Sequence, residues 1–486
     1  MSDDRPFEWL SRRRFVHLSA ASAAAVATGG LSLLSGCDQS APAGPGVSPG
    51  PSPSGAVTGN PLHIPQTLSP LNGSLIPAPA TVDLGGGRLS RAWAYNGAFP
   101  GPTFRAPAGS RVDVRLTNGL AQKTTVHWHG MVVPAAADGH PRDAVAPGGS
   151  YQYQYTIAQR ACFNWYHPHP HMLTGEQVCL GLAGGFIIND AEEAGLGLPT
   201  GLPYEIPLIV RDATLDSAGN LQYTPMGGAF LGNLPLVNGT RDAFIAVNHA
   251  VYRFRVLNGA NARVFGLTLS SGLAFNLIGN DGGLLDVTRK LTQIDIAPGE
   301  RLDLLVDFRG IPAGQNVTLR DVRTGWTLLE FRVNQGSPIA GTIPTSLSTI
   351  PRLANPAATR VFSFDGMRMI NGKVYDLNRI DFRVPFGRTE LWRFRTGGMG
   401  SGMMPMHGGT THPVHVHGAS FQVQSRTGGR GQVFPWERGW KDTVLLGSGE
   451  TIDVLIRFDR FRGIYLLHCH KLEHEDLGMM SNFEVV

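Results

Sequence analysis

The sequence predicts an all-β protein of three consecutive Greek-key β-sandwich domains, and three observations predict it. The chain has 486 residues, too many for one ordinary hydrophobic core. Its 62 glycines and 34 prolines punctuate many short alternating stretches, the pattern of strands joined by tight turns. A turn-plus-strand unit also recurs three times. Ala146-Pro147-Gly148-Gly149-Ser150-Tyr151 opens a strand alternating Tyr and Gln. Ala297-Pro298-Gly299-Glu300-Arg301-Leu302 and Gly447-Ser448-Gly449-Glu450-Thr451-Ile452 open two more. The glycines Gly148, Gly299 and Gly449 are 151 and 150 residues apart. A second echo joins segments 112–118, 252–258 and 390–396, each an alternating strand. The implied domains are 66–195, 196–345 and 346–486.

The N-terminus reads as an address. Ser11-Arg12-Arg13-Arg14-Phe15-Val16 precedes an apolar, alanine-rich stretch to Leu34 and resembles a twin-arginine export signal. Leu34-Ser35-Gly36-Cys37 then resembles a lipoprotein cleavage box. Residues 1–37 are therefore expected to export the chain to the periplasm or cell envelope. A lipidated Cys37 would tether it to the membrane; the alternative is ordinary cleavage between Ala41 and Ser54, which discards Cys37. Residues 38–65, rich in Pro, Gly and Ser, read as a flexible linker. With 16% charged residues, a net charge of +4 and no block of like charge in the folded part, the chain is not a nucleic-acid binder.

The first domain carries His127-Trp128-His129-Gly130 and Trp165-Tyr166-His167-Pro168-His169. On a strand, residues two apart share a face, so each His-x-His pair presents two imidazoles together. Cys162 and Cys179 flank the second motif and either pair in an oxidising compartment or stay separate buried thiols. The middle domain holds only His249 and reads as a spacer without metal. His140, His171 and His249 are not expected to be ligands, and Trp128 and Trp165 read as core.

The third domain carries His412-Pro413-Val414-His415-Val416-His417 and His468-Cys469-His470, with His474 and Met479 close behind. Two His, one Cys and a weak axial Met form the ligand set of a blue-copper electron-transfer centre. On an extended segment Cys469 faces one way while His468 and His470 face the other. A metal on the thiolate and metals on the imidazoles are then joined by a few covalent bonds. The repeat shows which copy can hold which metal. Nineteen residues past Gly449 lies His468 and nineteen past Gly148 lies His167, so Cys469 corresponds to Pro168. The first domain keeps the imidazoles without a thiolate. A cluster held by all eight imidazoles must lie between the first and last domains.

These four motifs, with Gly439-Trp440-Lys441-Asp442 and the ending His474-Glu475-Asp476-Leu477-Gly478-Met479-Met480, resemble the three-domain multicopper oxidases, above all their bacterial periplasmic branch. That family includes laccases, bilirubin oxidases and cuprous oxidases. The resemblance covers roughly residues 70–486 and implies cupredoxin-like domains holding four copper ions: one type 1, one type 2 and two type 3. Carried over, His412, Cys469, His474 and Met479 match the type 1 ligands, and His127 and His415 the type 2 ligands. His129, His167, His169, His417, His468 and His470 match the type 3 pair, although spacing leaves open which three serve each ion. Asp138 and Glu475 match the family's proton-relay acids; the alternative makes each a carboxylate that only orients a neighbour or sits at the surface.

The implied activity takes single electrons from a donor, Cu(I) or a phenolic compound, and reduces O2 to water. Met399, Met403, Met404 and Met406, four of the twelve methionines, crowd a glycine-rich stretch before His412. Thioethers favour Cu(I); the alternative is a hydrophobic lid over an organic-substrate site. Gly408 departs from the cuprous-oxidase pattern, which has an acid there. Two other classes fit less well. A copper-free scaffold of the cell-division type would lack ligands that are all present here, and a copper nitrite reductase carries two domains and one catalytic copper. The expected partners are O2 and a small reductant or Cu(I), with the protein otherwise monomeric.

Overall fold

The computed structural model describes residues 59–69, 71–270, 272–336, 339–396 and 411–486. The export segment, Cys37 and the four methionines of residues 399–406 lie outside the described residues. Alternation in sequence becomes alternation in burial. In the strand Arg111–Thr117 the side chains of Val112, Val114 and Leu116 are buried while those between them face outward. The three largest hydrophobic cores are built mainly from residues 71–188, 198–347 and 362–485. The fold is the expected all-β arrangement of cupredoxin-like sandwiches.

One boundary is corrected. Asn60–Pro61, assigned to the linker 38–65, forms a strand paired in parallel with Ala243–Phe244, and Leu62 joins the middle core. Pro61 has no N–H to give, and an edge position tolerates that; Asn60 and Leu62 on either side donate to the carbonyls of Asp242 and Phe244. The low-complexity composition hid a two-residue strand that the middle sandwich uses as an edge.

The histidine strands occupy equivalent places in the outer sandwiches. In the first, Cys162–His167 runs between Gly184–Asn189 and His127–His129, with His167 opposite His127 and Trp165 opposite His129. In the third, Gly463–Cys469 runs between Met480–Val485 and His412–Val416, with His468 opposite His415 and Cys469 opposite Val414. Two short helices, Thr174–Cys179 and Leu472–Asp476, join these halves. The Asp476 carboxylate accepts the Thr174 and Gly175 N–H groups at 2.9 and 2.8 Å, satisfying first-turn donors of the other helix. The Tyr465 hydroxyl donates to the Val133 carbonyl at 2.9 Å, and the His140 ring bonds the Asn482 side chain at 2.9 Å.

Candidate metal centres

Cys469 ends its strand with its side chain turned into the third core, and it meets two imidazoles there. Its Sγ lies 3.5 Å from His412 Nδ1 and 3.6 Å from His474 Nδ1, and the two nitrogens are 3.3 Å apart. A trigonal site with ligand bonds of about 2.0–2.3 Å sets its donors about 3.5–4 Å apart. The three atoms therefore stand close to the spacing that one central ion requires. Met479 is fully buried, and its backbone brackets the set: its N–H donates to the His474 carbonyl and its C=O accepts the Cys469 N–H. Burial pushes the Cys469 thiol up to about 12 and lowers His412 to about 3 and His474 to about 2. Neutral imidazoles are ready ligands, whereas this thiol gives up its proton to a cation rather than to water.

On the opposite face all eight remaining motif histidines converge, each 2% exposed or less. They fall into three groups of donor atoms: His127, His129 and His415; His129, His167 and His470; and His169, His417 and His468. The last two groups divide the six histidines other than His127 and His415 three and three, with His468 and His470 in different groups. Trp165, as expected of a core residue, stacks on the His167 ring with centroids 4.1 Å apart.

The hydrogen bonds fix which ring nitrogens are free. Nδ1–H of His127 donates to the Asp138 carbonyl (2.7 Å), that of His167 to the Pro168 carbonyl (2.8 Å) and that of His415 to the Asp442 carbonyl (2.8 Å). A carbonyl only accepts, so each Nε2 keeps a bare lone pair, and none of these three has a partner. His417 Nδ1–H is held by Asp138 Oδ2 at 2.8 Å and His468 Nδ1–H by the Cys469 carbonyl at 3.3 Å. Their Nε2 atoms nevertheless stand 3.0 Å apart. Lone pairs facing each other at that distance repel unless a cation lies between them. Burial, reinforced in most cases by neighbouring imidazoles, lowers every ring of the cluster, His167 to about 3 and His468 to about 4. Protons do not fill the site. Imidazole nitrogens of this kind suit copper in either oxidation state.

Two acids touch the cluster. Asp138 and Glu475 are both fully buried, and burial pushes both carboxyls well above the ordinary range. Asp138 bonds His417 and lies 3.7 Å from His127 Nδ1; Glu475 lies 3.3 Å from His169 Nδ1 and from His468 Nδ1. Neither is a surface carboxylate.

The middle domain supplies no residue to these groups, among the described residues, yet it is more than a spacer. Its repeat turn caps the cluster. Gly299, at φ +84°, leaves room where a Cβ would stand 3.0 Å from His129 Cε1 and 3.2 Å from the His470 ring. Its counterparts Gly148 and Gly449 face open space. Two residues on, the buried Arg301 donates to Asp442 Oδ1 at 2.7 Å, to the Phe163 carbonyl at 3.0 Å and to Asn164 Oδ1 at 3.1 Å. Asp442 Oδ1 and Thr443 Oγ1 in turn hold His129 Nε2 at 3.2 and 3.1 Å, leaving His129 Nδ1 facing the cluster without a partner. Sequence reasoning missed this cap. One signal was present: where the other two copies carry Ser150 and Thr451, the middle copy carries a charged residue.

The remaining expectations resolve simply. Cys162 and Cys179 are separate buried thiols. His140, His171 and His249 enter none of the candidate groups.

Comparison with known proteins agrees with this geometry. Sequence patterns of the multicopper oxidases match residues 78–193 and 343–486. The chain is 34% identical to the multicopper oxidase mco of Staphylococcus aureus over 82% of this chain and 85% of that protein. It is 32% identical to a laccase of Bacillus subtilis, over 82% and 90%. It is also 29% identical to the cell division protein FtsP of Dickeya dadantii, over 87% and 92%. Among solved structures it resembles the McoA multicopper oxidase of Aquifex aeolicus, with a TM-score of 0.81, 33% identity and coverage of 88% of this chain and all of that one.

Proposed function

The chain belongs to the multicopper oxidase family, and we propose from that premise that it takes electrons singly from Cu(I) or a phenolic donor and delivers four of them to O2, giving water. The observation that carries this reading is the peptide His468-Cys469-His470. Its thiolate faces the His412/His474 pair while its two imidazoles enter the eight-histidine cluster. Copper bound there supplies one-electron acceptance at the sulfur site and multi-electron chemistry at the cluster. Four ions account for the donor sets: a type 1 ion on His412, Cys469, His474 and Met479; a type 2 ion on His127 and His415; and type 3 ions on His129, His167, His470 and on His169, His417, His468.

Protein groups do the rest. Asp138 and Glu475 hold protons beside the ring nitrogens of His417, His169 and His468, where oxygen reduction consumes them. The cap formed by Gly299 and Arg301 keeps His129 in one orientation and excludes water from that side. The eight cluster histidines converge, as do His412, Cys469 and His474, which favours the oxidase over a copper-free scaffold of the FtsP kind. The methionines Met399, Met403, Met404 and Met406 lead into His412 and are read as collecting Cu(I). The N-terminal arginines support export to the periplasm or cell envelope, with Cys37 as a lipid anchor.

Steady-state oxygen uptake by the copper-loaded protein tests this, with Cu(I) and a phenolic dye as alternative donors. Both should be oxidised, and the quadruple Met→Ser variant should lose Cu(I) oxidation alone. Nitrite consumption without oxygen uptake would replace the oxidase reading with a reductase.

A further inference from the structure

The eight histidines are sealed, so copper must reach them from outside through the protein. A cavity of about 420 Å³ opens where the three sandwiches meet, and Cys162, Gln159 and Trp440 are among its walls. Its charge is partly cancelled at the mouth, where Arg160 pairs with Glu192 and Arg457 with Asp459. Val132, Gly418 and Ala419 also border a narrow crevice behind it, lined by Met131, His127 and His417. The cavity and the crevice therefore share a wall, and each carries one sulfur. Cys162 and Met131 are both 2% exposed, and the Asn164 Nδ2 amide lies 3.1 Å from Cys162 Sγ and 3.1 Å from Met131 Sδ. Neither sulfur has a place in the oxidase reading.

We propose that Cys162 and Met131 form a Cu(I) way-station between the three-domain cavity and the histidine cluster, through which the cluster is loaded. A thiolate and a thioether are soft donors that select Cu(I) over harder ions. The ion takes the place of the N–H contacts from Asn164 to both sulfurs and of the longer one from Gln159 Nε2 to Cys162 Sγ at 3.6 Å. A Cu–S bond forms, the Cys162 S–H bond breaks, its proton leaves to water in the cavity, and copper stays in the +1 state throughout. The thiolate and Cu(I) cancel each other's charge, so the bound state adds no net charge to a dry site. Burial holds the Cys162 thiol at about 11, so it stays protonated and inert until a soft cation displaces the proton. The crevice then offers His127 and His417 as the next donors.

The inference rests on the copper reading of the cluster, and loading kinetics separate the two. The full-length metal-free chain, Cys162→Ser and Met131→Leu are each given limiting Cu(I) as its acetonitrile complex without oxygen, and cluster-bound copper is followed by metal analysis and X-ray absorption. Both variants should load about tenfold more slowly or worse, yet reach the same final content, and their loading by Cu(II) should be unchanged. Under excess Cu(I) the parent should hold one additional sulfur-bound equivalent that Cys162→Ser lacks. Met131→Leu nearly conserves volume and guards against misfolding of the cysteine variant. Wild-type loading rates in both variants would overturn the way-station and leave the oxidase intact; a parent chain whose cluster takes no copper by either route would overturn both.

Discussion

At the scale of the residue, burial sets the chemistry of the acids. Burial pushes the carboxyls of Asp138 and Glu475 well above the ordinary range, which favours their holding protons beside the ligand rings. Glu475→Gln should lower turnover about a hundredfold while retaining full copper content, read by oxygen uptake and metal analysis together; loss of copper in parallel would reduce Glu475 to an orienting group. Met479 offers a second measurement. If its thioether is the weak fourth ligand, Met479→Leu raises the reduction potential of the sulfur-bound copper, and an unchanged potential counts against ligation. Met479 was legible in its spacing behind Cys469 and His474, and Glu475 only through the family resemblance. Arg301 was not. Its role depends on Asp442, 141 residues away in sequence, and no local pattern reports that distance.

At the scale of the element, the turn 297–301 shows how a copper-free repeat was put to use. The same turn faces open space in the two metal-bearing sandwiches and here is pressed against His129 and His470. Removing one partner of a buried ion pair leaves the other charge stranded, at about 3–5 kcal/mol. Arg301→Gln should therefore lose about that much stability in denaturant unfolding and release copper from the cluster, and adding Asp442→Asn should restore part of both. Gly299→Ala should shed copper as well, since its Cβ would crowd two ligand rings from a backbone conformation that L-residues avoid. The repeat made the turn visible in sequence, and its docking partner stayed hidden because the middle sandwich has no ligand of its own to mark the contact.

At the scale of the whole molecule, the buried histidines govern how the metal-free chain responds to acid. Their folded values lie below the ordinary value near 6.5, with His140 and His468 at about 4 and His167 and His412 at about 3. Above about pH 6.5 they are neutral whether folded or unfolded, and stability is complete. Below it the unfolded chain binds protons that the folded chain refuses, so each such histidine costs about 1.4 kcal/mol per pH unit. The unfolding midpoint of the metal-free protein should fall steeply between about pH 6.5 and 4, and a flat profile would contradict the burial. Three sandwiches and the seam between the outer two follow from the repeat and the split of the histidine motifs. The strand at Asn60–Pro61 does not follow, because a two-residue edge carries no periodicity to read.

Four imidazoles come from each end of the chain, so holding copper and holding the ends together are one equilibrium. Thermodynamic reciprocity makes the coupling run both ways. Whatever pries the outer sandwiches apart, be it heat, denaturant or a cut in the connecting backbone, leaches metal, and whatever chelates the metal slackens the joint. The rate of copper escape is thus a strain gauge built into the molecule, reporting the closure of its farthest-separated parts.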